Sequence, residues 1–177
     1  MTKRSLPEKI VALHTTLVSV PHAFGGALAL AYYAEPRATI DIDLNVFVPE
    51  KRATKIAALL APIGVSGTLE HVDRDGQVRL WWDDTPVDLF FSYDAFHHAA
   101  AKAVRIVPFA DATIPILSAN HLVVCKAIFD RPKDWVDIDA MKEADADLDA
   151  AEVLRWVGRI AGDTDPRYDR IAAVLVG

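Results

Sequence analysis

The stretch ATIDIDLNVFV, residues 38–48, constrains this chain more than any other part of it. Apolar and polar residues alternate strictly along it, and side chains alternate across a β-strand. Ile40, Ile42, Leu44 and Val46 therefore point one way, and Thr39, Asp41, Asp43 and Asn45 the other. The spacing predicts a strand whose aliphatic face enters a core and whose polar face presents two carboxylates side by side. Like charges held together repel unless something neutralises them. A hard divalent cation does so, and oxygen ligands of this kind suit Mg²⁺ or Mn²⁺. A solvated edge strand carries the same spelling, so Asp-x-Asp alone does not choose between the two.

A third acid narrows the choice. Asp88 lies in PVDLFF between Val87 and Leu89. A charge in so apolar a strand requires a partner, because a bare buried carboxylate is expensive. A salt bridge satisfies that need. So does a neighbouring strand bearing Asp41 and Asp43 with metal between them, since three carboxylates around two cations form a clamp for in-line phosphoryl chemistry. Upstream, Gly25-Gly26 precedes ALALAYYAE, a helix pattern stopped by Pro36. Glycines there let a phosphate approach the backbone, and free N–H groups at a helix start attract anions. A plain tight turn uses the same two residues.

Around these features the chain reads as an ordered series. A helix is expected over Leu6–Val20 with Ser5 as its cap, and another over Glu50–Leu60. Two strands, VRLWWD and PVDLFF, meet at a turn around Asp84-Thr85, with a further turn marked by Asp75 and Gly76. A short helix over Tyr93–Lys102 and two extended segments, AVRIVPF and TIPILS, follow. From Ser118 the texture becomes wholly helical: SANHLVVCKAIFD, KDWVDIDAMKEAD, AAEVLRWVGRIAG and DPRYDRIAAVLV, the last opened by Asp165-Pro166. The expected fold is α+β: a small mixed β-sheet with flanking helices over residues 1–117, then a C-terminal helical bundle over residues 118–177 packed on it. At 177 residues and 52% hydrophobic composition the chain can bury a core without disulfides.

Composition also excludes several classes. A formal net charge of −6 argues against a generic nucleic-acid binder. The single cysteine, Cys125, excludes an intramolecular disulfide and a cysteine-based zinc site, and suits a reducing cytoplasm. MTKRSLPEKI is not a secretory signal, and no window approaches the roughly 18 apolar residues of a membrane span.

The run FGGALALAYYAEPRATIDIDLNVFV resembles the signature of the polymerase-β-type nucleotidyltransferases, in which a glycine pair opens a helix, Asp-x-Asp follows on a strand, and a later strand brings a third Asp. The RATIDID spelling is similar to that of the AbiEii/AbiGii-type nucleotidyltransferase toxins. The later run LVVCKAIFDRPKDWVDIDAM resembles their second motif: a helical Lys, then Asp-Arg-x-Lys-Asp, then another Asp. The likeness spans Phe24 to Met141. It implies the nucleotidyltransferase fold and an enzyme that transfers a nucleoside monophosphate from an NTP to a hydroxyl of tRNA, protein or a small molecule, one member of a toxin–antitoxin pair with an antitoxin protein as partner. It implies that Gly25 and Gly26 hold the phosphates, that Asp41, Asp43 and Asp88 bind Mg²⁺ or Mn²⁺, and that Asp88 also helps deprotonate the acceptor. It assigns Lys126 to neutralising the triphosphate, assisted by Arg37 or Thr39, and places Lys133, Asp134 and Asp137 in the second motif, Lys133 at the nucleotide. The second position of the glycine motif is often Ser; here it is Gly26.

Each of these residues has a plainer reading. Lys126, beside Val123, Val124 and Ile128, can snorkel to the surface, and Lys133, Asp134 and Asp137 can form a solvated helix face. His97-His98 read as surface, and His22, His71 and His121 as isolated core or surface residues. Of Trp81 and Trp82, one is expected in the core and the other is free to stack a base. Ser118 and Cys125 show no base partner. The competing overall reading is a non-catalytic interaction protein that kept the scaffold; it predicts loss of a metal ligand, and all three carboxylates are present.

Overall fold

The computed structural model describes residues 3–69, 76–92 and 94–177. Asp75, His71 and Tyr93, named above, lie outside these. The chain divides into two compact units: Met1–Leu28 with Ala38–Leu117, and Ala29–Arg37 with Ser118–Gly177.

The first unit opens with helix α1, Leu6–Thr16, whose capping Ser5 receives Glu8 on its backbone N–H at 2.7 Å. The helix stops short of the expected Val20. Thr15 and Thr16 turn their hydroxyls back onto the carbonyls of Val11 and Ala12, and Pro21 disfavours helical geometry at the residue before it. Strand β1, His22–Phe24, leads into the short helix α2, Gly26–Leu30; the expected longer helix continues only as turns closed onto Ala29 and Leu30. Strand β2 is Ile42–Val46, so Ile40 is not part of the aliphatic face but 76% exposed. Thr39 bonds the carboxylate of Asp41, a local arrangement that competes with ladder pairing and delays the strand's start.

A 3₁₀ turn, Glu50–Arg52, enters helix α3, Ala53–Leu60. Then come β3 Val65–Ser66, β4 Gln77–Trp82, β5 Thr85–Phe91, helix α4 Ala95–Lys102, β6 Arg105–Phe109 and β7 Ala112–Ile116. Among the described residues these strands form one mixed sheet in the order β3-β4-β5-β2-β1-β7-β6. Strand β2 runs parallel to β5 and antiparallel to β1, and β4 with β5 is a hairpin closed by Asp83 and Asp84. Asp83 takes a positive φ of 54°, as tight hairpin turns require. One sheet face is uniformly apolar and buried: Ile42, Leu44 and Val46 with Val87, Leu89, Phe91, Val78, Leu80 and Trp82. Helices α1 and α3 add Ile10, Leu13, Leu17, Ile56 and Leu60 to this core.

Lys9 of α1 is buried with its ammonium hooked over the hairpin end. It donates to the Trp82 carbonyl at 2.8 Å and the Thr85 hydroxyl at 3.0 Å, and pairs with Asp83 at 3.1 Å. Three partners replace the water the buried charge has lost.

The second unit is helical: α5 Ala119–Phe129, α6 Pro132–Glu143, α7 Ala150–Ala161 and α8 Pro166–Val176. The expected Asp165-Pro166 start is present; Asp165 caps the Arg167 N–H at 2.9 Å, and the Arg167 guanidinium holds its carboxyl down at about 2. Leu122, Val123, Ile138, Met141, Val153, Val157 and Ile171 form its core. The mixed sheet with flanking helices and a helical C-terminal part is the α+β fold the sequence predicts. No helix among the described residues is long and apolar enough to cross a membrane.

Candidate active site

The site grows out of strand register. Asp43 of β2 lies directly opposite Asp88 of β5 in their parallel ladder, and Asp88 lies opposite Arg79 of β4 in the hairpin. Paired positions on neighbouring strands share a face. The face opposite the aliphatic one therefore carries Asp43, Asp88 and Arg79 in a row across three strands, with half-buried Asp41 just before the start of β2. The third acid is thus on the same side of the sheet as the first two.

Asp88 is 4% exposed and is gripped at both oxygens by Arg79, Nε to Oδ1 at 2.7 Å and Nη2 to Oδ2 at 2.7 Å. The hydrogen-bonded Asp88 carboxylate raises Arg79 above the ordinary guanidinium range; burial opposes this, and the fields of Asp88, Asp41 and Asp43 add to it. All three carboxylates are therefore felt by this guanidinium. The salt-bridge reading of Asp88 holds, and Asp43 stands beside it on the neighbouring strand. Among the described residues no three His, Cys, Asp or Glu side chains are grouped so as to hold a metal ion.

The glycine pair lies against the acid strand. The Gly25 N–H donates to the Asp43 carbonyl at 2.9 Å, and a Cβ added at Gly25 would meet Asn45 Nδ2 at 2.9 Å. Gly26 has a φ of +52°, and a Cβ there would overlap the Asp43 carboxylate. Glycine at this second position is thus required twice over, by backbone conformation and by space. Carboxylate oxygens, the donor type of Asp41, Asp43 and Asp88, are the ligands a hard cation takes. Thr39 donates its hydroxyl to Asp41.

The cations of the second motif have carboxylate partners within their own unit. Lys126, 4% exposed, donates to Asp137 at 2.5 Å and lies 4.0 Å from Asp134. Arg37 grips both oxygens of Asp137 at 2.9 Å, and Arg131 holds Asp134 at 2.6 and 3.1 Å. Lys126 is therefore a buried ion-pair member and not a snorkelling surface lysine, and Asp134 and Asp137 are buried rather than solvated. Lys133 is exposed. Burial pushes the Asp137 carboxyl up, but the hydrogen bonds from Arg37 and Lys126 outweigh it and hold it below the usual range. Ser118 does have an imidazole beside it, with Oγ 2.7 Å from His121 Nδ1, but the pair closes the N-terminus of α5. Trp82 enters the core at 4% exposure, while Trp81, 44% exposed, shares the face of Arg79.

Arg79 is the residue that reading the sequence misses. The signal was present: with Trp82 and Thr85 closing a two-residue turn, counting back three pairs sets Arg79 opposite Asp88.

No curated protein sequence matches the chain. In fold it is similar to the antibiotic-resistance factor ANT(2″)-Ia in complex with adenylyl-2″-tobramycin, at 17% identity and a TM-score of 0.59, covering 90% of this chain and 97% of that one. It is also similar to the lincosamide antibiotic adenylyltransferase LnuA bound to lincomycin, at 14% identity and a TM-score of 0.55, covering 81% and 99%. An antigenic nucleotidyltransferase-like protein from Paracoccidioides brasiliensis matches at 14% identity and a TM-score of 0.55, covering 97% of each chain. The model of the nucleotidyl transferase AbiEii toxin family, of type IV toxin–antitoxin systems, matches residues 18–174, and the chain belongs to that family.

Proposed function

We propose that the chain transfers a nucleoside monophosphate from an NTP to a hydroxyl, releasing pyrophosphate, at the sheet face that carries Asp41, Asp43 and Asp88. The observation that carries this reading is the in-register pairing of Asp43 with Asp88, beside a glycine pair packed directly against the Asp43 side chain. Asp41, Asp43 and Asp88 would hold Mg²⁺ or Mn²⁺, which when bound supplies charge neutralisation at the α-phosphate and at the departing pyrophosphate. Gly25 and Gly26 admit the triphosphate to the backbone. Thr39 orients Asp41 through its hydroxyl. The acceptor oxygen forms a bond to the α-phosphorus as the bond to the β-phosphate oxygen breaks, and a carboxylate oxygen of Asp88 takes the acceptor's proton.

The acceptor is a hydroxyl of tRNA, protein or a small molecule. Solved neighbours carrying adenylyl-tobramycin or lincomycin support the last, family membership supports the toxin role with an antitoxin partner, and the net charge of −6 weighs against extended RNA contact. The test is incorporation of labelled α-phosphate from each NTP into tRNA, cell protein and an aminoglycoside, with Mg²⁺ or Mn²⁺. Asp41→Ala and Asp43→Ala are each expected to reduce transfer roughly a thousandfold. Undiminished labelling in both variants refutes the site.

A further inference from the structure

We infer that Arg79 is the resident counter-ion of the acid cluster, and that a divalent cation coordinates Asp88 only by taking the guanidinium's place. This rests on the site proposed above and adds its order of loading.

The two partners are unequal. Asp88 is 4% exposed and flanked by ladder partners on both sides, Asp43 on β2 and Arg79 on β4, so its carboxylate is fixed. Arg79 is 51% exposed at the end of a long, flexible stem, so it is the movable member. Both carboxylate oxygens are occupied by its fork. A buried carboxylate stripped of its counter-ion is costly, so Arg79 leaves only when another cation arrives. Once displaced, the guanidinium remains beside the site with donors suited to a phosphate. Metal and nucleotide then load together: the metal takes Asp88, and the triphosphate takes Arg79. Divalent ion alone must compete with the guanidinium and binds weakly.

Manganese binding, followed by electron paramagnetic resonance, tests this without any turnover. Arg79→Gln is expected to bind Mn²⁺ about tenfold more tightly than the wild type in the absence of nucleotide. Arg79→Lys, which keeps the charge but not the fork and safeguards against a misfolded glutamine variant, is expected to fall between them. A non-hydrolysable NTP should tighten Mn²⁺ in the wild type and do so much less in Arg79→Gln. A purely structural ion pair would lower melting temperature in both variants and leave Mn²⁺ affinity within twofold of wild type; that result overturns the inference. Asp43→Asn separates the two levels. If it abolishes Mn²⁺ binding while the Arg79 variants bind as wild type, only the exchange is wrong; if it binds as wild type, or if no variant binds at all, the site assignment falls as well.

Discussion

Two clusters of charge in this chain use the same side-chain chemistry to opposite ends. On the sheet, Asp41, Asp43 and Asp88 all act on the guanidinium of Arg79, which grips Asp88 at both oxygens. Among the helices of the second unit, Asp134 and Asp137 are enclosed by Arg37, Lys126 and Arg131. The helical cluster has cations enough for its acids, and Asp134, Asp137 and Lys126 are buried. Its ion pairs hold helices together, and it has little need of anything from solution. The sheet cluster sets acids side by side along a partly open face, where a further cation improves its electrostatics. Acids set in register beside a glycine pair suit the proposed chemistry; a matched set of acids and cations among helices suits cohesion.

The sharpest way to break this contrast is to remove one acid from each cluster. Asp137→Asn leaves the buried Lys126 without its closest partner and should cost about 3–5 kcal/mol, read as a lower denaturation midpoint. Asp43→Asn should end nucleotidyl transfer while costing less stability than Asp137→Asn. Equal destabilisation by both variants would dissolve the distinction.

A smaller effect sharpens it. Gly26→Ala forces a non-glycine residue into left-handed backbone and a methyl group into the Asp43 carboxylate. Loss of about 2 kcal/mol is expected from the backbone conformation, with a melting curve as the readout. Transfer activity should fall further than stability does, because the displaced group is the Asp43 side chain.

The smallest effect is in pH. The folded Asp137 carboxyl lies below its unfolded value of about 4. Its contribution is therefore complete above that value and is lost as pH falls through the folded pKa. Melting temperature should drop between about pH 5 and pH 3, and Asp137→Asn should flatten that slope. An unchanged slope in the variant would remove Asp137 from the account of acid unfolding.

Much of this was legible in the chain because it is local. The alternation in residues 38–48 gave β2 its facing, and proline and capping residues located α1, α5 and α8 near their true starts. Ile40 escaped because alternation reports facing and not where pairing begins; the Thr39–Asp41 hydrogen bond decided that. The Lys126 partnership with Asp137 joins α5 to α6 across eleven residues, and Arg37 reaches Asp137 across 100; neither follows the spacing of one helix, so neither leaves a local trace. Trp81 and Trp82 alternate identically in sequence; only the neighbouring strands decide which one is buried. Arg79 lay between these cases, readable once the hairpin turn is fixed and invisible before it.

That dependence on the hairpin gives Lys9 a meaning its position in α1 does not advertise. Its ammonium clasps the Trp82 carbonyl and the Thr85 hydroxyl, the two ends of the last rung. A slip of one residue would turn Arg79 into the apolar layer and Asp88 away from its mate. The N-terminal helix thus acts as a keel for an acid-bearing face it does not line, and the alignment of arginine with aspartate is secured by a lysine 73 residues upstream of the rung it guards.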